Sequence, residues 1–482
     1  MSGETATAAT ARPDAGRSPN PRLILVACCF SLFMAQLDAT AVNVAMPSIS
    51  GSLGGGISGL QWVVDGYVLA LACLGMSGGS LGDRYGRRRT YRIGLVVFSL
   101  SSLGCGLAPD LAALVTLRLV QGVGAAMLMP VTLSIITITF HDPAARARAI
   151  GVWAGVAGLA AGAGPMVGGA LASGFGWRAI FWINLPIGAL AYALTGRHIP
   201  ESRSTAPGSF DLTGQVLLAA TLAALTYALI EAPAKGWGSG TTLGLLGGVG
   251  LGGLCFVVAE TRIRRPLIEP LYFRNRGFAG AGAIACLAYL AVMGFLFMNS
   301  LYLQRVRGLS PLTAGFAMLP TSLTLAAASL LAGRLVARYG PRPVLIASTC
   351  SLVAALAVLI RSTPTTAPVL LLAAYLLLGA AWGLLNPPLT NVAIAAMPRD
   401  QAGVASASVG VSRQLGAVLG VAIMGSLITT RTSALIRGGR AEASAFTEAT
   451  HLGYAVGIGA ALVGLVIAIA TMPRNAADPR EV

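Results

Sequence analysis

Charge is what this chain has least of. Only 10% of its 482 residues are Asp, Glu, Lys or Arg, where a soluble domain carries about 25%, so an ordinary water-soluble globular fold is excluded. Lysine is almost missing: of 33 basic residues, Lys235 is the single one. The three histidines are scattered, His141 and His198 in polar connections and His451 at the edge of an apolar run, which leaves no histidine-based metal or catalytic cluster. All seven cysteines lie inside apolar runs. They read as small hydrophobes, not as a disulfide framework or zinc site. The glycine-rich stretch 244–253 has no phosphate-loop pattern, so no nucleotide use follows. The net charge of +16 is carried by residues spread between apolar runs. That is the distribution of membrane topology and argues against nucleic acid as a partner.

Apolar sequence is what the chain has in abundance, at 55%. A helix needs roughly 20 apolar residues to cross a bilayer. Fourteen such spans are predicted, near 23–46, 59–82, 93–109, 111–137, 149–171, 179–196, 212–232, 241–260, 278–303, 312–333, 343–360, 367–396, 403–429 and 451–472. Between the third and fourth only Pro109 and Asp110 intervene. The first run is too long for a signal-peptide core and has no small-residue cleavage site. Residues 1–22, rich in Ala, Thr and Pro, read as a disordered cytoplasmic tail, and 473–482 as a second cytoplasmic tail. With both ends inside, 23 basic residues face the cytoplasm and eight face outward, while Arg118 and Arg413 lie within spans. Basic residues favour the cytoplasmic side, so this orientation is the expected one.

One segment occurs twice. Gly79-Ser-Leu-Gly-Asp-Arg-Tyr-Gly-Arg-Arg88 returns as Gly333-Arg-Leu-Val-Ala-Arg-Tyr-Gly-Pro-Arg342, with six of ten positions identical. Repeated units within an apolar chain mark carriers built from two related halves. The copies follow spans 2 and 10, so the halves are displaced by eight helices. The expected organisation is a six-helix bundle over 23–210, two inserted helices with a basic cytoplasmic loop over 211–276, and a second six-helix bundle over 277–472. The two copies differ at one acid: Asp83 stands opposite Ala337.

Four stretches, the repeated loop among them, carry a family resemblance. Leu37-Asp-Ala-Thr-Ala-Val-Asn-Val-Ala-Met-Pro47, the loop Gly79 to Arg88, Arg118-Leu-Val-Gln-Gly-Val-Gly124 and Gly164-Pro-Met-Val-Gly-Gly169 together resemble the major facilitator superfamily, in its fourteen-helix drug:proton antiporter branch. Trp177-Arg-Ala-Ile-Phe-Trp-Ile-Asn-Leu-Pro-Ile-Gly188 and Arg413-Gln-Leu-Gly416 also look typical of that branch. The resemblance implies an all-α integral membrane protein with the major facilitator fold. It implies proton-coupled efflux of a lipophilic small molecule such as an antibiotic, powered by the proton-motive force without a cofactor. A symporter importing a small solute or peptide is the alternative. An enzyme would need a polar cluster at a helix end, and none is present. The resemblance also places the protein in a bacterial plasma membrane, as a monomer whose partners are lipid, substrate and protons.

Asp38 and Asp65 are carboxylates inside the membrane, where an ionisable group costs several kcal/mol unless paired, hydrated or neutralised. The resemblance places Asp38, Arg118 and Asp65 in proton coupling, with Arg118 biasing the acid of the first helix. A polar pair that only holds the bundle together, and an Arg118 snorkelling to the interface, are the competing readings. Candidate cavity residues are Asp38, Asn43, Asp65, Gln121 and Asn386. In the loop, Gly79 and Gly86 allow a tight turn and close approach. Asp83 is expected to cap a facing helix or pair with an arginine, and Arg84, Arg87 and Arg88 to hold the loop inside and bridge the halves. In span 5, Gly164, Gly168 and Gly169 with Pro165 are expected to give a tight, bent helix interface.

Overall fold

The computed structural model describes residues 20–203, 211–263, 270–397 and 402–473, and the two tails expected at 1–22 and 473–482 fall almost wholly outside them. Among the described residues the chain is helical throughout, and fourteen helical stretches are long and apolar enough to cross a membrane. Their number and order agree with the sequence expectation. Most ends lie a few residues beyond the predicted apolar runs, because polar residues extend the helices past them.

The boundaries have a common cause. Asn20 accepts a hydrogen bond from the Arg22 N–H ahead of α1 (Pro21–Leu53). Asp110 accepts from Ala113 at 2.8 Å and starts α4 (Leu111–Thr139), which separates it cleanly from α3 (Arg87–Leu107). Asp211 does the same for α8 (Leu212–Lys235), Ser239 for α9 (Gly240–Arg262) and Asn275 for α10 (Arg276–Leu301). Each side-chain oxygen satisfies an N–H that the first helical turn leaves unpaired. Three spans are interrupted. The sixth divides at Ile183 into α6 (Ala179–Trp182) and α7 (Asn184–His198). The ninth ends in a π-helical turn, Tyr302–Val306. The tenth breaks at Met318 between α11 (Pro311–Ala317) and α12 (Leu319–Tyr339). By contrast α5 (Pro143–Gly174) runs unbroken through Pro165.

Packing repeats with the sequence. In the first half α1 packs on α5 and α7, α4 packs on α2 (Ile57–Tyr85) and α3, and α3 packs on α7. In the second half α10 packs on α15 (Ala402–Arg437) and α16 (Glu442–Thr471), while α14 (Pro368–Ala395) packs on α12 and α13 (Pro341–Leu359). The last equivalent pair, α13 on α16, is present too. The halves meet reciprocally, α2 against α15 and α5 against α11 and α12. The repeated loop has the same backbone in both copies: Gly86 and Gly340 each have positive φ, 108° and 80°, and each starts the next helix. The inserted α8 lies against α2 and α15, one helix from each half, and α9 packs on α8 and faces outward along most of its length.

Candidate functional site

The centre of the first half is a buried polar network. Asp38 on α1 and Arg118 on α4 are each 1% exposed and form a direct ion pair. The Arg118 guanidinium also donates from Nε to the Val63 carbonyl at 3.0 Å and from Nη1 to Gln121 Oε1 at 2.8 Å. Gln121 returns an Nε2 donor to Asp38 Oδ1 at 3.0 Å, and Asn184 Nδ2 donates to the same oxygen at 2.9 Å. Asn184 is held in turn near Ser102, whose hydroxyl donates to the Phe181 carbonyl. The Tyr67 ring lies 4.4 Å from the guanidinium carbon and Phe181 5.8 Å, so aromatic faces cover the cation where no acceptor does. The glycines of the fourth-helix motif make the reach possible. A methyl group at Gly122 would strike the Tyr67 carbonyl, and one at Gly124 would sit 2.7 Å from the Phe98 nitrogen. Backbone contact with α2 and α3 therefore brings Arg118 inward to Asp38, and a snorkelling arginine is ruled out by its burial.

The expected residues divide into separate places. Asp38, Arg118 and Gln121 come together. Asp65 does not join them: it is fully buried on α2 with neither carboxylate oxygen hydrogen-bonded. Asn43 lies further along α1, bonded to its own helix at Ala39 O, beside a small cavity that Asn299, Ser300 and Met318 also line. Asn386 belongs to the second half, where its Oδ1 accepts from Arg413 Nη1 at 3.0 Å and Tyr289 at 3.3 Å. Asn184 was missed. Its signal was a carboxamide within an apolar span, inside a segment noted only for its family resemblance. Among the described residues no three His, Cys, Asp or Glu side chains gather as metal ligands.

The halves are joined at one end. Gln61 Nε2 donates to the Val421 and Ala422 carbonyls at 3.0 and 2.9 Å, Gln304 Nε2 to Val44 O at 2.7 Å, and Ser300 Oγ to Asn43 O at 2.5 Å. Leu312 N donates to Ser173 Oγ, and Ser322 Oγ to Gly162 O. All of these lie toward the end where α1 finishes and α2 begins. Glycines of the Gly164–Gly169 stretch sit at the same seam. A methyl at Gly164 would strike Thr40, one at Gly168 would come 2.6 Å from Ala41 O, and one at Gly169 would strike Pro311 O. Gly151, Gly155 and Gly174 on the same helix meet nothing within 4 Å, whereas a methyl at Gly162 would come 3.1 Å from Ser322 Cβ, so the stripe is an interface from Gly162 through the motif and not along its whole length.

The Gly79–Arg88 loop lies at the opposite end, and its described partners are all in the first half. Asp83 pairs with Arg87 at 2.7 Å and does not cap a facing helix. Arg88 Nη2 reaches the Gly196 carbonyl at 2.7 Å. The cap is Glu201, which accepts from the Arg88 and Arg89 N–H groups at 3.2 Å each and starts α3. A methyl group at Gly86 would strike that carboxylate. Gly79 approaches Pro130, and Arg84 stacks loosely by its neighbour Tyr85. Replacing Glu201 with alanine is expected to lower the thermal stability of the purified protein by about 1 kcal/mol; an unchanged melting temperature would remove the capping role.

Two related six-span halves, closed at one end beside a buried acid–arginine network, define a membrane transporter and not an enzyme. Residues 28–421 match the Major Facilitator Superfamily, and the chain belongs to that family. It is 40% identical over 414 residues to the multidrug resistance protein Stp of Mycobacterium tuberculosis, covering 86% of this chain and 77% of that one. It is 36% identical to the methylenomycin A resistance protein of Streptomyces coelicolor, covering 86% and 88% respectively. Among solved structures, a bacterial homologue of the lysosomal transporter Spinster, inward-facing and occupied, shares the fold with a TM-score of 0.67 at 18% identity, over 95% of this chain and 97% of that one.

Proposed function

We propose that this protein exports a lipophilic, antibiotic-like small molecule across a bacterial plasma membrane in exchange for protons, by alternating access. The observation that carries the proposal is the Asp38 carboxylate held by Arg118, Gln121 and Asn184, which come from α4 and α7 while the acid is on α1. Protonating Asp38 cancels the charge that binds Arg118 and loosens the contacts of α1 with both helices. Releasing the proton restores them. The same helix carries Asn43 and Val44 at the closed seam, so the protonation state bears directly on the inter-half contacts. Asp65, fully buried with no hydrogen-bond partner among the described residues, is a second candidate for carrying a proton.

The 23-to-eight bias of basic residues supports cytoplasmic termini. On that orientation the hydrogen-bonded seam is the outer end and the Gly79–Arg88 loop the inner one, as in an inward-facing carrier. The relatives' names, multidrug and methylenomycin A resistance, favour export over uptake. Each charge moved down the membrane potential supplies about 2.3 kcal/mol per 100 mV, so one or two titrating acids are enough. A monomer suffices, since one chain provides both halves. The test is a drug panel in an efflux-deficient host with and without a proton uncoupler. Asp38→Asn is expected to abolish uncoupler-sensitive export while the protein still reaches the membrane. Export that survives the uncoupler, or is unaffected in Asp38→Asn, would defeat proton exchange.

A further inference from the structure

Among the described residues, the second half holds a cation with no acid paired to it. Arg413 lies within the span 408–437, and between residues 277 and 473 the chain has only three acids, Asp400, Glu442 and Glu448. Glu448 is occupied by Arg431 and Arg440 at 2.9 and 3.1 Å. Arg431 is 18 positions further along α15, roughly 27 Å away at helical rise, and Glu442 starts α16 at that same distant end. Asp38 in the first half is committed to Arg118, and no described acid pairs with Arg413. Its one described hydrogen bond is to Asn386. A guanidinium is permanently charged, and at this depth a bare charge is costly.

Its surroundings are shaped to receive something. Asn386 Oδ1 takes both Arg413 and the Tyr289 hydroxyl, and Trp382 Nε1 donates to that hydroxyl at 3.3 Å. The Tyr289 and Trp382 rings meet edge to face at 6.3 Å. Arg413, Asn386 and Tyr289 are only half-buried. Arg413 lies on α15, which packs on α2 of the first half, and Tyr289, Met293 and Leu415 pack against a core cluster that joins first-half residues to Ala417 and Val418 of α15, so the group lies near the seam between halves, where alternating access places the substrate. A planar fork of donors beside two aromatic faces suits a carboxylate carried on an aromatic body.

We propose that Arg413, positioned by Asn386 and flanked by Tyr289 and Trp382, binds the carboxylate of an aromatic, amphipathic substrate. This rests on the exporter reading above and gives its substrate a charge. Dansylglycine and its methyl ester differ only at the carboxylate, and dansyl fluorescence reports binding to the purified full-length protein in detergent. The wild type is expected to bind the acid about 10-fold or more tightly than the ester, as a charge-assisted contact gives. Arg413→Gln should erase that preference and Arg413→Lys should keep part of it, both eluting as folded protein on size exclusion. Equal binding of acid and ester by the wild type, failure to bind the acid at millimolar concentration, or a full preference in Arg413→Gln would overturn the proposal. Should Arg413→Gln fail to fold, the wild-type comparison and a normal preference in Arg413→Lys decide: a lysine lacks the fork, so an undiminished preference counts against the site. Binding in detergent needs no proton gradient. A wild-type preference for the acid alongside export that survives the uncoupler would therefore keep the recognition site while defeating proton exchange, so the two readings fail separately.

Discussion

Arg118→Ala is expected to abolish transport and to cost about 3–5 kcal/mol of stability, the range for removing one partner of a buried ion pair. The side chain is 1% exposed and binds a carboxylate, a carboxamide and a backbone carbonyl on three different segments. Without it Asp38 keeps only the Gln121 and Asn184 amides as donors, and the Val63 carbonyl loses its recorded side-chain donor. Arg118→Lys should restore the charge but not the fork, because one ammonium cannot serve Val63 O, Gln121 and Asp38 along the same directions. We expect Lys to recover part of the stability and at most about a tenth of the transport. The double variant Asp38→Asn/Arg118→Gln removes both charges and is expected to melt close to the wild type while remaining inactive. That combination separates holding the fold from moving protons. Full activity in Arg118→Ala would sink the coupling role, and an unchanged melting temperature would show that the pair contributes nothing to the bundle.

Gly168→Ala should lose most transport for a purely steric reason. The added methyl would lie 2.6 Å from the Ala41 carbonyl oxygen and 2.9 Å from the Ala41 Cα, both backbone atoms of α1 that cannot turn aside. Overpacking of this kind costs about 1–3 kcal/mol. It also displaces α1 one turn from Asp38, so the acid moves off the Arg118 fork, and misplacement of about 1 Å is enough to cost a factor of ~100 in a working site. Gly151→Ala on the same helix is the control: nothing lies within 4 Å of its Cβ position, and alanine favours a helix by about 1 kcal/mol. It should leave export intact and raise stability slightly. Equal behaviour of the two variants in a drug-efflux assay would mean that the motif glycines reflect composition and not contact.

Much of the architecture was legible in the sequence because hydropathy, helix length and capping are local. The fourteen spans follow from run lengths, and the ends follow from Asn20, Asp110, Asp211, Ser239 and Asn275, whose side chains act within three residues. The duplicated loop predicted two related halves, and the reciprocal packing of α2 on α15 and α5 on α12 bears this out. Asp38 and Arg118 were readable as partners since each is an isolated charge in an apolar run. The capping role of Glu201 was not. Of the two roles open to Asp83, capping a facing helix or pairing with an arginine, it takes the second, with Arg87 one turn away, while Glu201, more than a hundred positions on, caps α3.

The sequence by itself determined how many helices cross the membrane, where they end, that the chain is duplicated, and which charges are stranded in apolar surroundings. These are properties of consecutive residues and of their cost of leaving water. Only the tertiary structure decided which stranded charges meet. Asn184 joined Asp38 from 146 positions away, while among the described residues Asp65 has no hydrogen-bond partner and Arg413 has Asn386 as its acceptor beside the Tyr289 ring. The reason is that helix rotation and the closeness of glycine-lined contacts set these distances, and both depend on how every neighbouring helix packs.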